Sequence, residues 1–273
     1  MRKLGVSLIE NTSTPMEEQI KMIKDCGFDC FFSPYYKDEP IDKWKELAEK
    51  IGLVYETVHL PFYTENGLTA NNLWIDDLAG EEYYNHILKQ IDGCSKNEIP
   101  IGVMHLSSCS EGPEITSFGV DRFKRICEYA QMRNVRLAFE NLELAQHLHS
   151  VMEIIGDFHG FCWDCGHNLC YTPETDMSLK YQDKLICTHI HDNFGVTKPG
   201  NIHWHDDLHL LPFDGKLDWE WYGKRIKETG YTGPLTLELS LKSREEYKKQ
   251  PLDEFFKTAF ERVKKILEFT DNT

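Results

Sequence analysis

The sequence predicts a single α/β domain, a (β/α)8 TIM barrel over residues 1–273. Short apolar segments alternate with longer amphipathic segments along the whole chain. This alternation is typical of parallel strands joined by right-handed helical crossovers. The chain contains eight such units, more than an open doubly wound sheet usually has, so we expect closure into a barrel. No linker rich in glycine, proline or serine divides the chain.

Each strand is predicted from a short apolar run. The strands are Leu4–Ile9, Phe28–Ser33, Val54–His59, Gly102–Leu106, Arg136–Glu140, Gly160–Asp164, Leu185–His191 and Pro234–Glu238. Apolar residues at helical spacing predict the helices, which are Pro15–Cys26, Ile41–Ile51, Gly80–Asn97, Val120–Arg133, His147–Asp157, Asp218–Thr229 and a terminal run from about Arg244 to Phe269. The sixth crossover, around Thr175–Asp183, is short and weakly patterned. Gly27, Gly52 and Gly230 directly follow predicted helix ends, where a left-handed backbone is expected.

The acidic composition limits the partners of this protein. The chain has 45 acidic and 30 basic residues, which give a formal net charge of −15. Such a surface repels the phosphates of nucleic acids and of anionic membranes, so we expect neither as a partner. The amino-terminal segment has only a short apolar run, which fits neither a signal peptide nor a membrane span. We therefore expect a cytoplasmic protein with reduced thiols.

Nine cysteines are present, and Cys162 and Cys165 form a C-x-x-C pair. No second pair stands at the spacing of a zinc ribbon, and this pair falls at the end of a predicted strand. We interpret both residues as packing cysteines rather than as a redox or zinc motif.

Ionisable residues recur at one place in the predicted units, at the end of the strand or just after it. They are His59, His105, Glu140, Asp164, His167, His189, His191 and Glu238, with Asp207 and His209 in a long loop before the eighth strand. The carboxyl ends of barrel strands converge on one cavity, so these residues should be neighbours. Any one of them alone is compatible with a hydrogen-bonded core group. Many carboxylates packed together need a compensating cation, and mixed imidazole and carboxylate ligands suit Zn, Mn, Co or Fe.

Five short motifs contain most of these residues. They are Phe139-Glu140-Asn141, Trp163-Asp164-Cys165-Gly166-His167, His189-Ile-His191-Asp192-Asn193, Asp207-Leu-His209 with Gly215-Lys-Leu-Asp218-Trp219, and Leu237-Glu238. Their order and placement resemble the xylose isomerase-like TIM barrel superfamily over nearly the whole chain. That superfamily includes sugar isomerases and epimerases, inosose dehydratase-like proteins and the type-two apurinic endonucleases.

The resemblance implies a metal site. Sugar-isomerising members hold one metal with a Glu, Asp, His, Glu quartet, which here matches Glu140, Asp164, His189 and Glu238. His189 has Asp192 at the spacing of the family pattern His-x-x-Asp, and His191 is a second candidate. The endonuclease members hold two further zinc ions with five more ligands, which here match His59, His105, His167, Asp207 and His209. Some of these positions contact substrate in single-metal members, so we expect one divalent metal, and up to three stay compatible with the ligands.

The resemblance also implies isomerisation or epimerisation of a sugar or polyol. The metal would bind a carbonyl and a neighbouring hydroxyl and stabilise the charge of an ene-diolate. Glu140 and Glu238 would be the catalytic residues, one removing a proton from carbon and the other returning it. His167 would hold a substrate oxygen. A dehydratase variant would use the same proton abstraction before it expels a hydroxyl.

Two alternatives stay open. One is a three-zinc phosphodiesterase like the apurinic endonucleases, and the other is a non-catalytic barrel that binds metal or sugar. A DNA-binding enzyme needs cations near its mouth. The segments 60–80, 106–120 and 165–178 contain no Lys or Arg, and only scattered cations are near: Lys37, Lys198, Lys216, Lys242 and Arg244. Both glutamates for proton transfer are present, which disfavours the non-catalytic alternative.

Aromatic residues in the same loops favour a sugar, because aromatic faces commonly flank the apolar C–H faces of sugars. They are Tyr35, Tyr36, Phe62, Tyr63, Trp74, Phe194, Trp204 and Phe213. Ordinary packing at the barrel rim explains them equally well. The expected partner is therefore a small sugar or polyol, and a homodimer is compatible because barrels of this type often dimerise.

Overall fold

The computed structural model describes residues 2–35, 40–108, 111–198 and 202–271. Within these residues lie eight strands, β1 (Leu4–Ser7), β2 (Cys30–Pro34), β3 (Val54–His59), β4 (Ile101–Met104), β5 (Arg136–Glu140), β6 (Gly160–Asp164), β7 (Leu185–His189) and β8 (Leu235–Leu237). Their order is β7-β6-β5-β4-β3-β2-β1-β8, and all neighbours are parallel. Ile190 and Leu237 form one further parallel bridge, which joins the ends of β7 and β8. The predicted (β/α)8 barrel is confirmed.

Helices alternate with the strands and form the outer layer. They are α1 (Met16–Cys26), α2 (Ile41–Ile51), α3 (Leu78–Lys96), α4 (Ser117–Met132), α5 (Ala145–Met152), α6 (Cys165–Tyr171), α7 (Met177–Lys180), α8 (Trp219–Glu228), α9 (Glu245–Lys249) and α10 (Leu252–Asp271). Gly27, Gly52 and Gly230 have φ angles of 102°, 68° and 70°, which confirms the left-handed backbone expected there. Among the described residues, no helix is both long and apolar enough to cross a membrane.

Polar caps decide where two helices begin. The side chain of Asp77 accepts the amide of Gly80 at 2.7 Å, and that of Thr116 accepts the amide of Gly119 at 3.0 Å. Such caps satisfy amides that have no partner inside the helix. For this reason α3 and α4 begin earlier than the starts predicted at Gly80 and Val120.

Two predicted helices are wrong in extent. The terminal run from Arg244 is broken into α9 and α10 because Pro251 has no amide N–H and the preceding Gln250 is extended, with ψ of 137°. The helix predicted over His147–Asp157 ends at Met152 as α5. Gly156, further along the predicted span, has φ of 66°, which cannot continue a right-handed helix.

The weak sixth crossover also differs from its prediction. The short α7 and the start of a 3-10 helix at Gln182–Lys184 lie within the predicted span Thr175–Asp183, and α6 precedes them directly after β6. Asp164 explains the difference, because it is both the last residue of β6 and the residue that caps α6. In the sequence, its polar side chain indicated the end of the strand. The helix that follows was for this reason not predicted.

Apolar side chains fill the inside of the barrel below its carboxyl end. Ile101, Val103, Ala138, Cys162 and Cys187 form a buried cluster there. Several of them stand two residues before an ionisable strand end, and the period of two in a strand points both toward the same interior. Cys162 and Cys187 are partners in the register between β6 and β7. The interior is therefore a packed floor beneath the polar cluster.

The two cysteines of the C-x-x-C pair lie in different places. Cys162 belongs to the floor of the barrel, whereas Cys165 begins α6 and its Sγ lies 3.6 Å from the carbonyl oxygen of His191. All cysteines within the described residues are unpaired. This placement agrees with the interpretation of both as packing residues.

Candidate metal centre

The barrel brings the ionisable residues of the predicted set together at its carboxyl end. His59, Glu140, Asp164 and His189 are the last residues of β3, β5, β6 and β7, and His105 and Glu238 directly follow β4 and β8. The members of the set fall into three groups whose candidate ligand atoms lie within 4.8 Å of one another. The groups are Glu140, Asp164, His189 and Glu238; His59, His105 and Glu140; and His167, His191, Asp207 and His209.

Asn141 holds the ends of β5 and β6 at a fixed separation. Its Nδ2 donates to the carbonyl oxygen of Asp164 at 2.8 Å, and its Oδ1 accepts the amide of Asp164 at 2.9 Å. Asp164 in turn accepts the amide of His167 at 2.6 Å as the cap of α6. The motifs around Glu140 and Asp164 thus fix each other, and the cap places His167 beside them.

Asp192 anchors the long loop between β7 and β8. Its carboxylate accepts the amides of Asn193, Phe213 and Leu217 at 2.9, 3.0 and 3.0 Å. It also accepts the indole N–H of Trp219 at 3.2 Å. In the sequence, Asp192 served only to mark the spacing from His189. Its function as the anchor of this loop was missed, because three of the four donors stand 21 to 27 residues further along the chain.

The anchored loop carries two of the predicted ligands, Asp207 and His209. The backbones of Asp192 and Leu210 pair through hydrogen bonds of 2.9 and 3.0 Å. A Cβ at Gly215 would lie 2.3 Å from Oδ1 of Asp192, so the loop can close only over a glycine there. His209 has φ of 48°, a left-handed conformation that non-glycine residues adopt rarely and often at functional sites.

The first group is centred on His189. Its Nδ1 lies 2.7 Å from Oε1 of Glu140 and 3.1 Å from Oε2 of Glu238. Its other ring nitrogen, Nε2, has no hydrogen-bond partner within the described residues. The thiols of Cys162 and Cys187 also lie near the ring, because all three residues offer ligand atoms within 4.8 Å of one another. Carboxylates therefore surround one nitrogen of His189.

The second group shares Glu140 with the first. Nε2 of His105 lies 2.9 Å from Oε2 of Glu140, and Nε2 of His59 lies 3.4 Å from the same oxygen. The two histidine nitrogens are 3.2 Å apart. Each oxygen of Glu140 thus faces a different group, the geometry of a carboxylate that can bridge two cations.

The third group surrounds Asp207. Its Oδ2 lies 3.1 Å from Nε2 of His167 and 2.9 Å from Nε2 of His209. The ring of His191 stacks on that of His209 with centroids 4.0 Å apart, and its Nε2 lies 3.0 Å from the carboxylate of Asp164. A Cβ at Gly166 would lie 2.1 Å from the ring of His191, so glycine is needed for this approach.

Histidines compensate the buried carboxylates electrostatically. Burial raises the pKa of Glu140, but His189 and His105 outweigh burial and hold the pKa well below its usual range. The pKa of Glu238 is lowered by His189 in the same way, against the effect of burial. Burial lowers the pKa of His189, yet the negative groups around it raise that pKa well above its usual value. Without metal, protons on histidine therefore supply the charge that these carboxylates require.

The pKa values in the third group are shifted in the same way as those in the first two. Burial raises the pKa of Asp207, and His209 and His167 reverse the shift so that the carboxylate stays ionised. Burial lowers the pKa of His209, and Asp207 raises it to about 9. Oδ1 of Asp207 is buried and has no hydrogen-bond partner in the described part of the chain. A divalent cation would displace the histidine protons and satisfy that oxygen, so the donor set fits a metal.

A cavity of about 850 Å³ opens beside the cluster, with His59, His209 and Glu238 at its inner end. Of the aromatic residues expected in the loops, Tyr35, Phe62 and Tyr63 line it. Trp74 does not. It is 1% exposed, and its indole N–H donates to the carbonyl oxygen of Leu106 at 2.7 Å, so it belongs to the core. Tyr36 and Lys37 lie outside the described residues.

Residues that the sequence analysis did not consider also line the cavity. Glu10 follows β1, and Glu82, Lys89 and Gln90 lie on α3. The predicted site residues come from strand ends and loops, whereas α3 contributes one face of a helix to the mouth of the barrel. The recurrence of polar residues along α3 at helical spacing is the signal that predicts this face.

The parallel (β/α)8 barrel, with its polar cluster at the carboxyl ends of the strands, makes this protein a TIM-barrel protein. Within that class the xylose isomerase-like TIM barrel family matches residues 20–271, and the chain belongs to this family.

The chain is also similar to several individual proteins. An uncharacterized protein of Sinorhizobium fredii is 39% identical over 114 residues, which are 39% of this chain and 34% of that protein. The match thus spans about a third of that relative's length. A D-tagatose 3-epimerase-like structure has a TM-score of 0.73 and 21% identity, over 99% of this chain and 98% of its own.

A xylose isomerase-like TIM barrel/4-hydroxyphenylpyruvate dioxygenase fusion protein has a TM-score of 0.73 and 17% identity over 98% of this chain. The match covers 43% of the fusion protein, less than half of its length. At these identities the two structural similarities show a shared fold.

Proposed function

We propose that this protein is a divalent-metal-dependent isomerase or epimerase of a sugar or polyol. The observation that best supports this proposal is the arrangement of Glu140 and Glu238 about His189. Their carboxylates come from β5 and the end of β8 and approach the same nitrogen, Nδ1 of His189, at 2.7 and 3.1 Å. Two carboxylates around one centre can remove a proton from carbon on one side and return a proton from another.

Glu140, Asp164, His189 and Glu238 would hold the metal, with Zn, Mn, Co and Fe all suited to this donor set. When bound, a divalent cation would polarise a sugar carbonyl and offset the negative charge that develops on the oxygens as the proton leaves carbon. The role of the chain is to hold these four side chains rigidly, which Asn141 does for two of them through its paired hydrogen bonds to Asp164.

Glu140 and Glu238 are the proposed proton-transfer residues. Their lowered pKa values keep both carboxylates ionised in the resting protein, so each is ready to accept a proton. One takes the proton from the substrate carbon and later releases it to solvent. The other takes up a proton from solvent and delivers it to the opposite face or to the neighbouring carbon. The first outcome is epimerisation and the second is isomerisation. His167, hydrogen-bonded to Asp207, would hold a substrate oxygen.

The cavity favours a neutral, hydroxylated substrate. Aromatic rings of Tyr35, Phe62 and Tyr63 line it, as expected for contact with the C–H faces of a sugar. Acidic groups on its wall outnumber the two lysines there, Lys89 and Lys242. Similarity to a D-tagatose 3-epimerase-like protein supports the same substrate class.

A second candidate is a phosphodiesterase with several metals. One observation favours it: the two further groups around His59 and Asp207 have the donors for additional cations, with Glu140 shared between the first two groups. Against it stands the acidic character of the cavity wall, which opposes a phosphate backbone. Metal counting and the reaction itself distinguish the two candidates.

Exchange of substrate hydrogen with solvent tests the proposal. Protein loaded with Mn²⁺ or Co²⁺ is incubated in deuterated water with a panel of ketoses, aldoses and inososes, and the loss of C–H signals is followed by NMR. We expect exchange in at least one sugar, and none after Glu140→Gln or Glu238→Gln. Glu56→Gln is the matched control, because Glu56 is a barrel glutamate that contacts Cys30 and Thr236.

Three results would count against the proposal. No exchange with any sugar favours the non-catalytic alternative. Exchange that survives both substitutions at the centre refutes the two-carboxylate mechanism. Cleavage of a phosphodiester together with three zinc ions per chain favours the second candidate.

A further inference from the structure

The cavity continues past the candidate metal centre. Its volume of about 850 Å³ lies in the upper part of the range of about 300–1,000 Å³ that holds drug-sized ligands. His209 and Glu238 line it at the metal end, and Lys89 and Gln90 line it from α3. A monosaccharide is smaller than a drug-sized ligand. A single sugar at the metal therefore leaves the α3 end of the cavity unfilled.

Gln90 presents an unsatisfied amide at that end. The residue is 1% exposed, and neither its Nε2 nor its Oε1 has a hydrogen-bond partner within the described residues. Buried side-chain amides are nearly always hydrogen-bonded in native proteins, because burial without a partner is costly. Both atoms are closed off from solvent in this conformation, so the side chain must turn toward the cavity to bond a polar ligand group.

Aromatic rings connect the two ends of the cavity. Phe62 stacks on His105, a candidate metal ligand, with centroids 4.5 Å apart and an interplanar angle of 18°. Tyr63 packs edge-on against Phe62 at 5.1 Å and is 56% exposed. The hydroxyl of Tyr83, on α3, donates to the carbonyl oxygen of Pro61 at 2.7 Å, which fixes this loop to the helix. The wall from the metal centre to α3 is thus rigid and aromatic.

The chemistry of Gln90 identifies the ligand group. A carboxamide both donates and accepts, and so do neighbouring hydroxyls of a sugar ring. A phosphate offers mainly acceptors and would leave Oε1 of Gln90 unpaired. Glu82 and Lys89 line the same end with opposite charges, so this end has no excess positive charge for an anion. A hydroxylated ring fits both Gln90 and the aromatic wall.

We propose that the substrate carries a second sugar unit, which binds between Gln90 and Tyr63 while the first unit lies at the metal centre. The inference rests on the proposed function and names its substrate class, a glycosylated ketose or aldose. It assigns Gln90 as a residue that determines specificity for the second unit.

Binding of paired sugars tests this inference. Mn²⁺-loaded protein is titrated calorimetrically with D-fructose and with four glucosyl-fructoses, turanose, maltulose, leucrose and palatinose, which differ in linkage position. D-fructose 6-phosphate is titrated in parallel. We expect at least one glucosyl-fructose to bind about tenfold more tightly than D-fructose, since the amide gains one or two hydrogen bonds.

Gln90→Leu is the diagnostic variant. It keeps the size of the side chain and removes two unpartnered polar atoms, so it should fold at least as well as the parent protein. We expect it to remove the tenfold advantage of the disaccharide and to leave the affinity for D-fructose within about twofold. Gln131→Leu, at an exposed position of α4, is the matched control and should change neither affinity.

Every result of these titrations either supports or overturns the inference. Equal or weaker binding of all four glucosyl-fructoses overturns it, as does an advantage that survives Gln90→Leu. Tightest binding of D-fructose 6-phosphate overturns it in favour of a phosphate site. The proposed function is judged separately, because it depends on hydrogen exchange and not on which sugar binds more tightly.

Discussion

Nδ1 of His189 lies 2.7 Å from Oε1 of Glu140, and both side chains are fully buried. The other oxygen of Glu140 lies 2.9 Å from Nε2 of His105, so one carboxylate joins two of the three groups at the barrel mouth. A buried carboxylate with this environment is stable only with positive charge on both sides. Glu140 is therefore the residue whose neutralisation should disturb the cluster most.

Glu140→Gln should weaken binding of Mn²⁺ or Zn²⁺ strongly, because an amide offers one neutral oxygen where two charged ones faced the histidines. Proton transfer should fall by about 100-fold or more, the usual contribution of a positioned acid or base. Chelator competition measures the affinity, and NMR exchange measures the reaction. Glu56→Gln serves as the control. Unchanged metal affinity in Glu140→Gln would remove Glu140 from the ligand set.

Asp207→Asn tests how many metals the mouth holds. With one metal at Glu140, Asp164, His189 and Glu238, the variant should keep about one metal per chain. Its effect should then appear as a raised KM, because His167 loses the carboxylate that orients it. Elemental analysis before and after the substitution gives the count. A fall in the metal count assigns a cation to the group around Asp207.

The sequence predicted the barrel and the convergence of its strand ends, because both follow from local patterns. An apolar run that ends in a polar residue is recognisable from five or six consecutive residues. The parallel topology then brings the ends of the strands together. The features that the sequence did not predict depend on contacts between segments that are distant along the chain. Asp192 binds amides of Phe213 and Leu217 across the loop, and Gln90 reaches the cavity from the outer helix layer.

Boundary errors have a similar cause. Asp164 is both the last residue of β6 and the cap of α6, whereas a sequence pattern assigns only one role to each residue. Trp74 was expected at the rim because it lies in a predicted loop. Its burial depends on packing against Phe123 of α4, with ring centroids 4.8 Å apart. Such packing is set by the three-dimensional arrangement of α4 and the turn at Ala70–Trp74.

Gly215→Ala tests the anchor of the long loop. The added Cβ would lie 2.3 Å from Oδ1 of Asp192 and 2.5 Å from the carbonyl oxygen of Asn193. We expect a loss of about 1–3 kcal/mol in the free energy of unfolding, the usual range for overpacking. Urea unfolding measures it. Gly102→Ala is the control, because the atoms nearest to its Cβ would belong to the flexible side chain of Leu60, at 3.3 Å.

The same variant has a second readout that a general loss of stability would not produce. Asp207 and His209 lie in the anchored loop, so Gly215→Ala should also weaken substrate or metal binding at the third group. Equal unfolding free energies for Gly215→Ala and Gly102→Ala would show that the loop does not depend on this close contact.

Glu56 gives the protein a pH-dependent stability that is separate from the metal centre. Burial, followed by the effect of Cys187, raises the pKa of Glu56 from 4.5 to about 7. The folded state therefore binds this proton more tightly than the unfolded state. Its contribution to stability is complete below pH 4.5, declines as the pH rises toward 7 and is constant above that. The loss amounts to at most about 3 kcal/mol.

Glu56→Gln removes this titration while it keeps the size of the side chain. Urea unfolding of both proteins in EDTA at pH 4.5 and pH 8 should give free energies that differ little at the lower pH. At the higher pH the variant should be the more stable, by up to about 3 kcal/mol. Other titrating groups affect both proteins equally and cancel in the difference. A difference that stays constant with pH would show that Glu56 is ionised at its ordinary pKa, with solvent or Lys3 compensating its charge.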